Sequence, residues 1–363
     1  MKKLILVLTF FIMLNCSYSE NFIKNIKLPP GFEIEIMSKN IKGARSLTLS
    51  KSGTIYVSTR IGNIYALKDY NNDNKIDKRY VIADNLNTPN GIDFHDGDLY
   101  IAEVTKILKY ENIEENLENP KYKVIYSNLP EQYHHEWRYM RIGPDEKIYI
   151  GIGAPCNVCL KKNNIFSTIC RMNLDGSNFE IFAHGVRNTV GFDWHPETHV
   201  LWFTDNGRDW LGDNKPPDEL NRAEKKGLHF GFPFLHGKNI KDPKFGDKIN
   251  NISKFIKPEL ELGPHVAALG MRFYTGKNFP EEYRNQIFIA EHGSWNRSIP
   301  IGYRITMGKK DSRGNLTYET FASGWLRNNK KYGRPVDLEI MKDGSLIVSD
   351  DKNGSLYRIY HKD

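Results

Sequence analysis

An all-β chain folded as a six-bladed β-propeller is what this sequence predicts, and three observations predict it. The composition suits short strands and many turns, with 12% aromatic residues and 29 glycines among 363 residues, 39% of them apolar. One phrase, a turn followed by an alternating strand and then a second strand, recurs six times along the chain. No Pro-, Gly- or Ser-rich linker separates the copies, so they belong to one domain.

The copies follow in order. They are "SGTIYVSTRIGNIYALKD" (52–69), "DGDLYIAEVTKILKYE" (96–111), and "DEKIYIGIG" with "TICRMNLDG" (145–153 and 168–176). Then come "HVLWFTDNG" (199–207) with "DELNRA", "RNQIFIAEHGSW" (284–295) with "GYRITM", and "DGSLIVSDDKNGSLYRIY" (343–360). Each shows period-2 alternation bounded by Gly, Asp or Asn, the pattern of a half-buried antiparallel pair. Such a unit cannot bury both faces alone, and repeats of tens of residues stack radially into blades. The early strand "FEIEIM" (32–37) is placed to complete the last blade and cover its edge. A β-sandwich array is the rival architecture. Functional groups of a propeller gather on the loops at one end of the channel. The stretches to search are therefore the gaps between paired strands: 129–143, 154–167, 185–198, 206–221, 228–282 and 293–303.

The first residues read as a targeting segment. Lys2 and Lys3 precede an apolar run over 4–14 that is too short to span a bilayer, and Ser17-Tyr18-Ser19 offers a small-x-small cleavage site. The expected division is a signal peptide over 1–19 and the propeller over 20–363, in an exported protein, periplasmic or extracellular. The alternative is a lipoprotein signal ending before Cys16, which would tether the chain to a membrane through that residue alone. The net charge of +7 is spread over 51 basic and 44 acidic residues, without the concentrated stripe a nucleic-acid interface needs. Cys156 and Cys159, in C-N-V-C, lack the following His of a haem site and the second pair of a zinc site, so a short disulfide is expected. Cys170 reads as a buried filler.

Two stretches carry candidate chemistry. In "QYHHEWRYMRIGPD" (132–145), His134 and His135 are neighbours, and neighbouring side chains on a strand point apart, which disfavours a shared metal. A single histidine facing the channel suits a general base, and a structural histidine is the plainer reading. In "HGVRNTVGFDWHPETHVLWFTDNGRDWLGDNKPPDELN" (184–221), Gly207 lets carbonyls approach an ion closely. The nearby acids and amides are oxygen donors of the kind Ca²⁺ prefers; a loop held by Asx turns is the bland alternative.

Taken with "GMRFYTGKNFP", "FIAEHGSWNR" and "GRPVDL…DGSL", these stretches resemble the soluble pyrroloquinoline-quinone (PQQ)-dependent sugar dehydrogenases. This is the glucose/sorbosone dehydrogenase family, and the likeness is strongest to its sorbosone dehydrogenase-like branch. It runs from "LPPGF" (28–32) to about 359 and implies a six-bladed propeller. It implies that His135, eight residues before the glycine of "GPD", is the base, and that Arg187 and Asn188 contact the quinone carbonyls. It implies that the carbonyls of Gly207 and Arg208 hold Ca²⁺, and that Arg334 binds a cofactor carboxylate. Arg297 or Asn296 falls near the place of a cofactor-binding lysine. The sequence departs from the pattern in three ways: that lysine has no counterpart, His134 replaces an acid, and no aromatic substrate loop is recognisable in 228–282.

The implied activity is oxidation of a sugar-like alcohol, aldose or hydrated aldehyde by hydride transfer to PQQ with Ca²⁺. The substrate would be a small molecule, and the electron acceptor is not indicated. The alternatives are a Ca²⁺-dependent propeller lactonase, with a metal-bound water, and a non-catalytic carbohydrate-binding propeller using Trp137, Trp210 and Trp295.

Overall fold

The computed structural model describes residues 22–311 and 314–362. The expected signal segment, with Ser19 and Cys16, lies outside them. Six four-stranded antiparallel units form the blades of one propeller. Blade 1 is Ala44–Leu49, Ile55–Thr59, Ile64–Lys68 and Lys78–Ala83, and blade 2 is Gly91–His95, Asp98–Ala102, Ile107–Tyr110 and Tyr122–Tyr126. Blade 3 is Met140–Ile142, Lys147–Ile152, Thr168–Asn173 and Glu180–His184, with Leu228–His229 added in parallel. Blade 4 is Phe192–Trp194, Leu201–Asp205, Pro217–Ala223 and Leu260–Pro264, and blade 5 is Ala268–Phe273, Ile287–Glu291, Arg304–Lys310 and Leu316–Ala322. Blade 6 is Pro335–Ile340, Leu346–Asp350 and Ser355–His361, closed on its outer edge by Phe32–Ser38, which pairs from Phe32↔His361 onward. Among the described residues no helix is long and apolar enough to cross a membrane.

The six repeated phrases are the second and third strands of the six blades. They differ from expectation in one respect. Ile55–Thr59, Leu201–Asp205, Ile287–Glu291 and Leu346–Asp350 are buried at every position rather than at alternate ones. A blade is covered on both faces by its neighbours, so its middle strands lose the solvated side that alternation assumes. The apolar core is accordingly divided among the seams between blades. Phe288 and Phe321 of blade 5 meet Leu338 and Tyr357 of blade 6, for example, while Leu47 and Val57 of blade 1 meet Ile347 and Leu356 of blade 6.

The stretch 228–282, expected as one long gap, holds the outer strand of blade 4 and the inner strand of blade 5. Side chains of the inner strands hydrogen-bond around the axis. Asp93, Asp193 and Asp337 accept the backbone N–H of Ile142, Phe273 and Leu47 in the next blade, at 2.7, 2.9 and 3.0 Å. These buried acids interrupt the apolar pattern by which a strand is recognised.

Candidate active site

All six inner strands run the same way, so their first residues, and the loops after the second strands, meet at one end of the channel. A cavity of about 230 Å³ opens there, walled by Arg45, His135, Arg187, Asn188 and Gly207 among others. The opposite end carries a cavity of about 720 Å³ whose wall is an internal ion-pair network, in which Arg141 and Arg272 both reach Glu339, at 3.2 and 3.3 Å.

His135 stands just ahead of the inner strand of blade 3, with φ at 52°. Gln132 Nε2 donates to the carbonyls of His134 and His135, at 2.6 and 2.9 Å, and pins the bend. Residue 153 has to be glycine, since a Cβ there would lie 2.6 Å from the Cβ of His135. The imidazole Nδ1 lies 2.7 Å from the carbonyl oxygen of Ala154. A carbonyl only accepts, so Nδ1 carries the proton and Nε2 keeps the lone pair. Burial, reinforced by the positive charge of Arg187, pushes the imidazole down to about 3 against the opposing pull of the Ala154 carbonyl. His135 is thus a neutral acceptor of fixed tautomer. His134 is exposed, and the two ring centroids are 6.3 Å apart.

Arg187 is 4% exposed and held on every side. Its Nε donates to the carbonyl of Asn157 (2.9 Å), Nη1 to the carbonyl of Asn206 (3.0 Å), and Nη2 to Asn157 Oδ1 (3.0 Å) and Asp209 Oδ2 (3.4 Å). That leaves one of the five N–H donors of a guanidinium. Asp205 clamps the turn beneath by accepting the backbone N–H groups of Arg187 and Asn188 at 2.8 and 2.6 Å. Asn188 Oδ1 and Asn296 Oδ1 are buried at the cavity without a hydrogen-bond partner.

Gly207 also lines the cavity, and its N–H donates to Asp218 Oδ1 (2.9 Å). A Cβ at 207 would meet the carbonyl of Pro217 at 2.7 Å, so only glycine fits. Asp218 Oδ2 accepts from the N–H of Ala268 (3.1 Å). Burial raises the carboxyls of Asp205, Asp218 and Glu219, Asp218 to about 7, which thins the negative charge around Arg187.

Arg45, Arg60 and His292, which the sequence did not single out, also line the cavity. Asp351 collects them, at 3.5, 3.2 and 3.1 Å, together with the expected Arg334 (2.7 Å), which stands behind the wall and does not line it. Burial would raise this carboxyl, but the hydrogen bond from His292 and the charges of Arg45 and Arg334 outweigh it and hold it far below the usual range. Three guanidiniums on one carboxylate leave a surplus of positive charge. Arg45 and Arg60 also lie over Trp137, 4.4 and 5.3 Å from its ring centroid. The cue to Arg45 is its place at the head of an inner strand.

One sequence-predicted side chain turns elsewhere. Arg297 donates to the carbonyls of Ile299 (3.1 Å) and Asp213. Its neighbour Asn296 is the one that borders the cavity. Arg208, expected to act through its carbonyl, sends its side chain away from the cavity, with Nη1 donating to the buried Asp242 (2.6 Å).

Cys156 and Cys159 are disulfide-bonded and Cys170 is free and buried, both as expected. The disulfide closes the loop that carries Asn157, whose side chain also receives the N–H of Asp209 (2.9 Å) and donates to its carbonyl (3.1 Å). Asn157→Ala is expected to cost about 1–3 kcal/mol, read from the midpoint of urea unfolding. An unchanged midpoint would show that this brace contributes nothing.

Comparison with known proteins agrees with this architecture. The profile of a domain of unknown function (DUF7133) matches residues 19–356. An uncharacterized protein of Borreliella burgdorferi is 40% identical over 98% of this chain and 97% of its own length. A PQQ-dependent pyranose dehydrogenase of Coprinopsis cinerea is 32% identical over 124 residues, 29% of this chain and 16% of that enzyme. Among solved structures, the calcium structure of a Trichoderma reesei carbohydrate-active enzyme of family AA12 superposes with a TM-score of 0.81 at 17% identity, over 93% of this chain and 97% of that one. The holo PQQ domain of the Coprinopsis cinerea pyranose dehydrogenase gives 0.76 at 17%, over 92% and 97%. The PQQ-bound aldose sugar dehydrogenase of Streptomyces coelicolor gives 0.67 at 16%, over 92% and 99%. At these identities the likeness establishes the six-bladed fold.

Proposed function

The chain belongs to the DUF7133 domain family, and within it we propose a quinoprotein: a PQQ-dependent dehydrogenase of a sugar-like alcohol, aldose or hydrated aldehyde. The observation that carries this reading is one cavity that joins a neutral histidine of fixed tautomer to a surplus of arginine. A planar cofactor with several carboxylates needs such charge-assisted donors. Arg45 and Arg60 face the cavity, and Arg334 is tied to them through Asp351. The residues fit the group. When bound, PQQ supplies the two-electron acceptor that the side chains lack.

The protein's own part is acid–base and positional. His135 Nε2 takes the proton of the substrate hydroxyl, and the Nδ1–H bond to Ala154 keeps the ring aimed as charge develops. Arg187 and Asn188 present donors to the cofactor's carbonyl edge from a turn that Asp205 has fixed in advance. A Ca²⁺ ion, in this proposal, would be held by the backbone carbonyls of Gly207 and Arg208, as the resemblance implies. Side chains do not provide a cage: among the described residues no three His, Cys, Asp or Glu groups converge on one point. The same fact weakens the lactonase reading, which needs several side-chain oxygens on one ion. Export, with or without lipid on Cys16, is part of the proposal.

Reconstitution of the purified protein with PQQ and Ca²⁺ tests the reading. Stoichiometric uptake seen in the absorption spectrum, then bleaching by an aldose, polyol or hydrated aldehyde with reduction of a dye, is the expected result. Absence of uptake would overturn it.

A further inference from the structure

Two tryptophans stand exposed at the lip of the cavity. Trp295, 64% exposed, borders it; Trp210, 67% exposed, meets Trp295 at 85° with ring centroids 5.3 Å apart. Exposure of this much apolar surface gives up stabilisation that burial would supply. Trp210 also has φ at 68°, a left-handed backbone that costs a bulky residue roughly 1–2 kcal/mol.

The loops bearing the pair are nonetheless fastened together. Asn296 Nδ2 donates to Asp209 Oδ1 (2.9 Å), the N–H of Ser298 faces both oxygens of Asp213 (3.2 Å), and Arg297 donates to the Asp213 carbonyl. His265 Nε2 lies 3.0 Å from the carbonyl of Gly212 and 3.2 Å from that of Lys215. Two large rings are therefore held out of the core, at a fixed right angle, by bonds from both sides.

We infer that Trp210 and Trp295 form a saccharide subsite, which takes the sugar unit next to the one that reacts, so that the preferred substrate is an oligosaccharide. This rests on the dehydrogenase reading for the unit at His135, and extends it. In that reading the quinone takes up the cavity, so a substrate reaching His135 enters through its mouth and keeps its far end at the lip, where Trp295 stands. A pyranose presents flat C–H faces edged by hydroxyls, and this corner presents aromatic faces with the carboxylate of Asp209 on the same rim as Trp295. Apolar contact fixes the ring and Asp209 accepts its hydroxyls.

Calorimetric titration of the quinone-free protein with glucose, the malto- and cello-oligosaccharides to the trisaccharide, and N,N′-diacetylchitobiose tests this without turnover. The expected result is tighter binding with chain length in at least one series. Trp210→Ala should return the trisaccharide to monosaccharide affinity, a loss of roughly tenfold, while Trp210→Phe keeps most of it. In the loaded enzyme the same loss should fall on KM rather than kcat. Equal affinity at every length, binding by none of the panel, or an unaltered trisaccharide affinity in Trp210→Ala would each overturn the subsite. Quinone uptake and monosaccharide oxidation without length dependence would remove the subsite and leave the dehydrogenase. Length-dependent binding without quinone uptake would do the reverse.

Discussion

His135→Ala is expected to lower kcat by about 10²- to 10⁴-fold, the share that a positioned general base contributes, while PQQ still binds. In the proposed mechanism this side chain is the base, and its Nδ1–H bond to Ala154 aims Nε2. Stopped-flow reduction of the loaded enzyme separates this from a folding defect, because the spectrum of bound quinone reports the site before substrate is added. Normal turnover would remove His135 from the mechanism. The charge state has its own test. The folded-state value, about 3, lies below the ordinary histidine value near 6.5. The ring therefore stays neutral in the folded protein as pH falls from 7 to about 4, whereas an unfolded chain would take up the proton. Burying it neutral thus weakens stability progressively below pH ~6.5. Its ring protons in NMR should be insensitive to pH over that range in the quinone-free protein. A midpoint near 6.5 would show that the ring is solvated.

Arg187→Ala should produce the second large effect, on both stability and cofactor. The guanidinium is the buried partner of Asp209 and Asn157 and stands among the buried acids Asp205 and Asp218. Removing one member of a buried charge cluster costs about 3–5 kcal/mol, because the others stay behind uncompensated. Calorimetric melting would register that loss, and equilibrium titration should show PQQ affinity reduced by roughly a hundredfold. Arg187→Lys separates the two effects: it keeps the charge yet loses the fork, so it should recover part of the stability and little of the affinity. An affinity unchanged in either variant would place the cofactor elsewhere.

The strands visible in the sequence were those with apolar runs between turn residues, and these are the second and third strands of each blade. Inner strands were hard to see for a physical reason. Phe192–Trp194 and Met140–Ile142 are three residues long, and Asp93, Asp193 and Asp337 place a charge where an apolar residue would have marked the strand. The site divides in the same way. His135, Arg187, Asn188 and Gly207 belong to distinctive local phrases, and the structure gathers all four at one cavity. Arg45 and Asp351 are 306 positions apart, and no local pattern relates them; only closure of the ring does. Arg297 occupies the expected loop, but its side chain donates to the carbonyl of Asp213 instead of bordering the cavity.

The closure of blade 6 has a consequence for how the chain is made. Residues 32–38 leave the ribosome early, and their partners, residues 355–361, emerge more than three hundred residues later. Throughout synthesis the seam between blades 6 and 1 stays open, with Leu47 and Val57 lacking Ile347 and Leu356. Blades formed from neighbouring segments can assemble as they appear, but the ring cannot lock until its final strand is present, a contact of the longest range and the slowest kind to form. In the interval the first strand is an unpaired edge, open to the wrong partner. The arginines drawn onto Asp351 come from both sides of that seam, so this basic cluster is among the last parts of the molecule to exist.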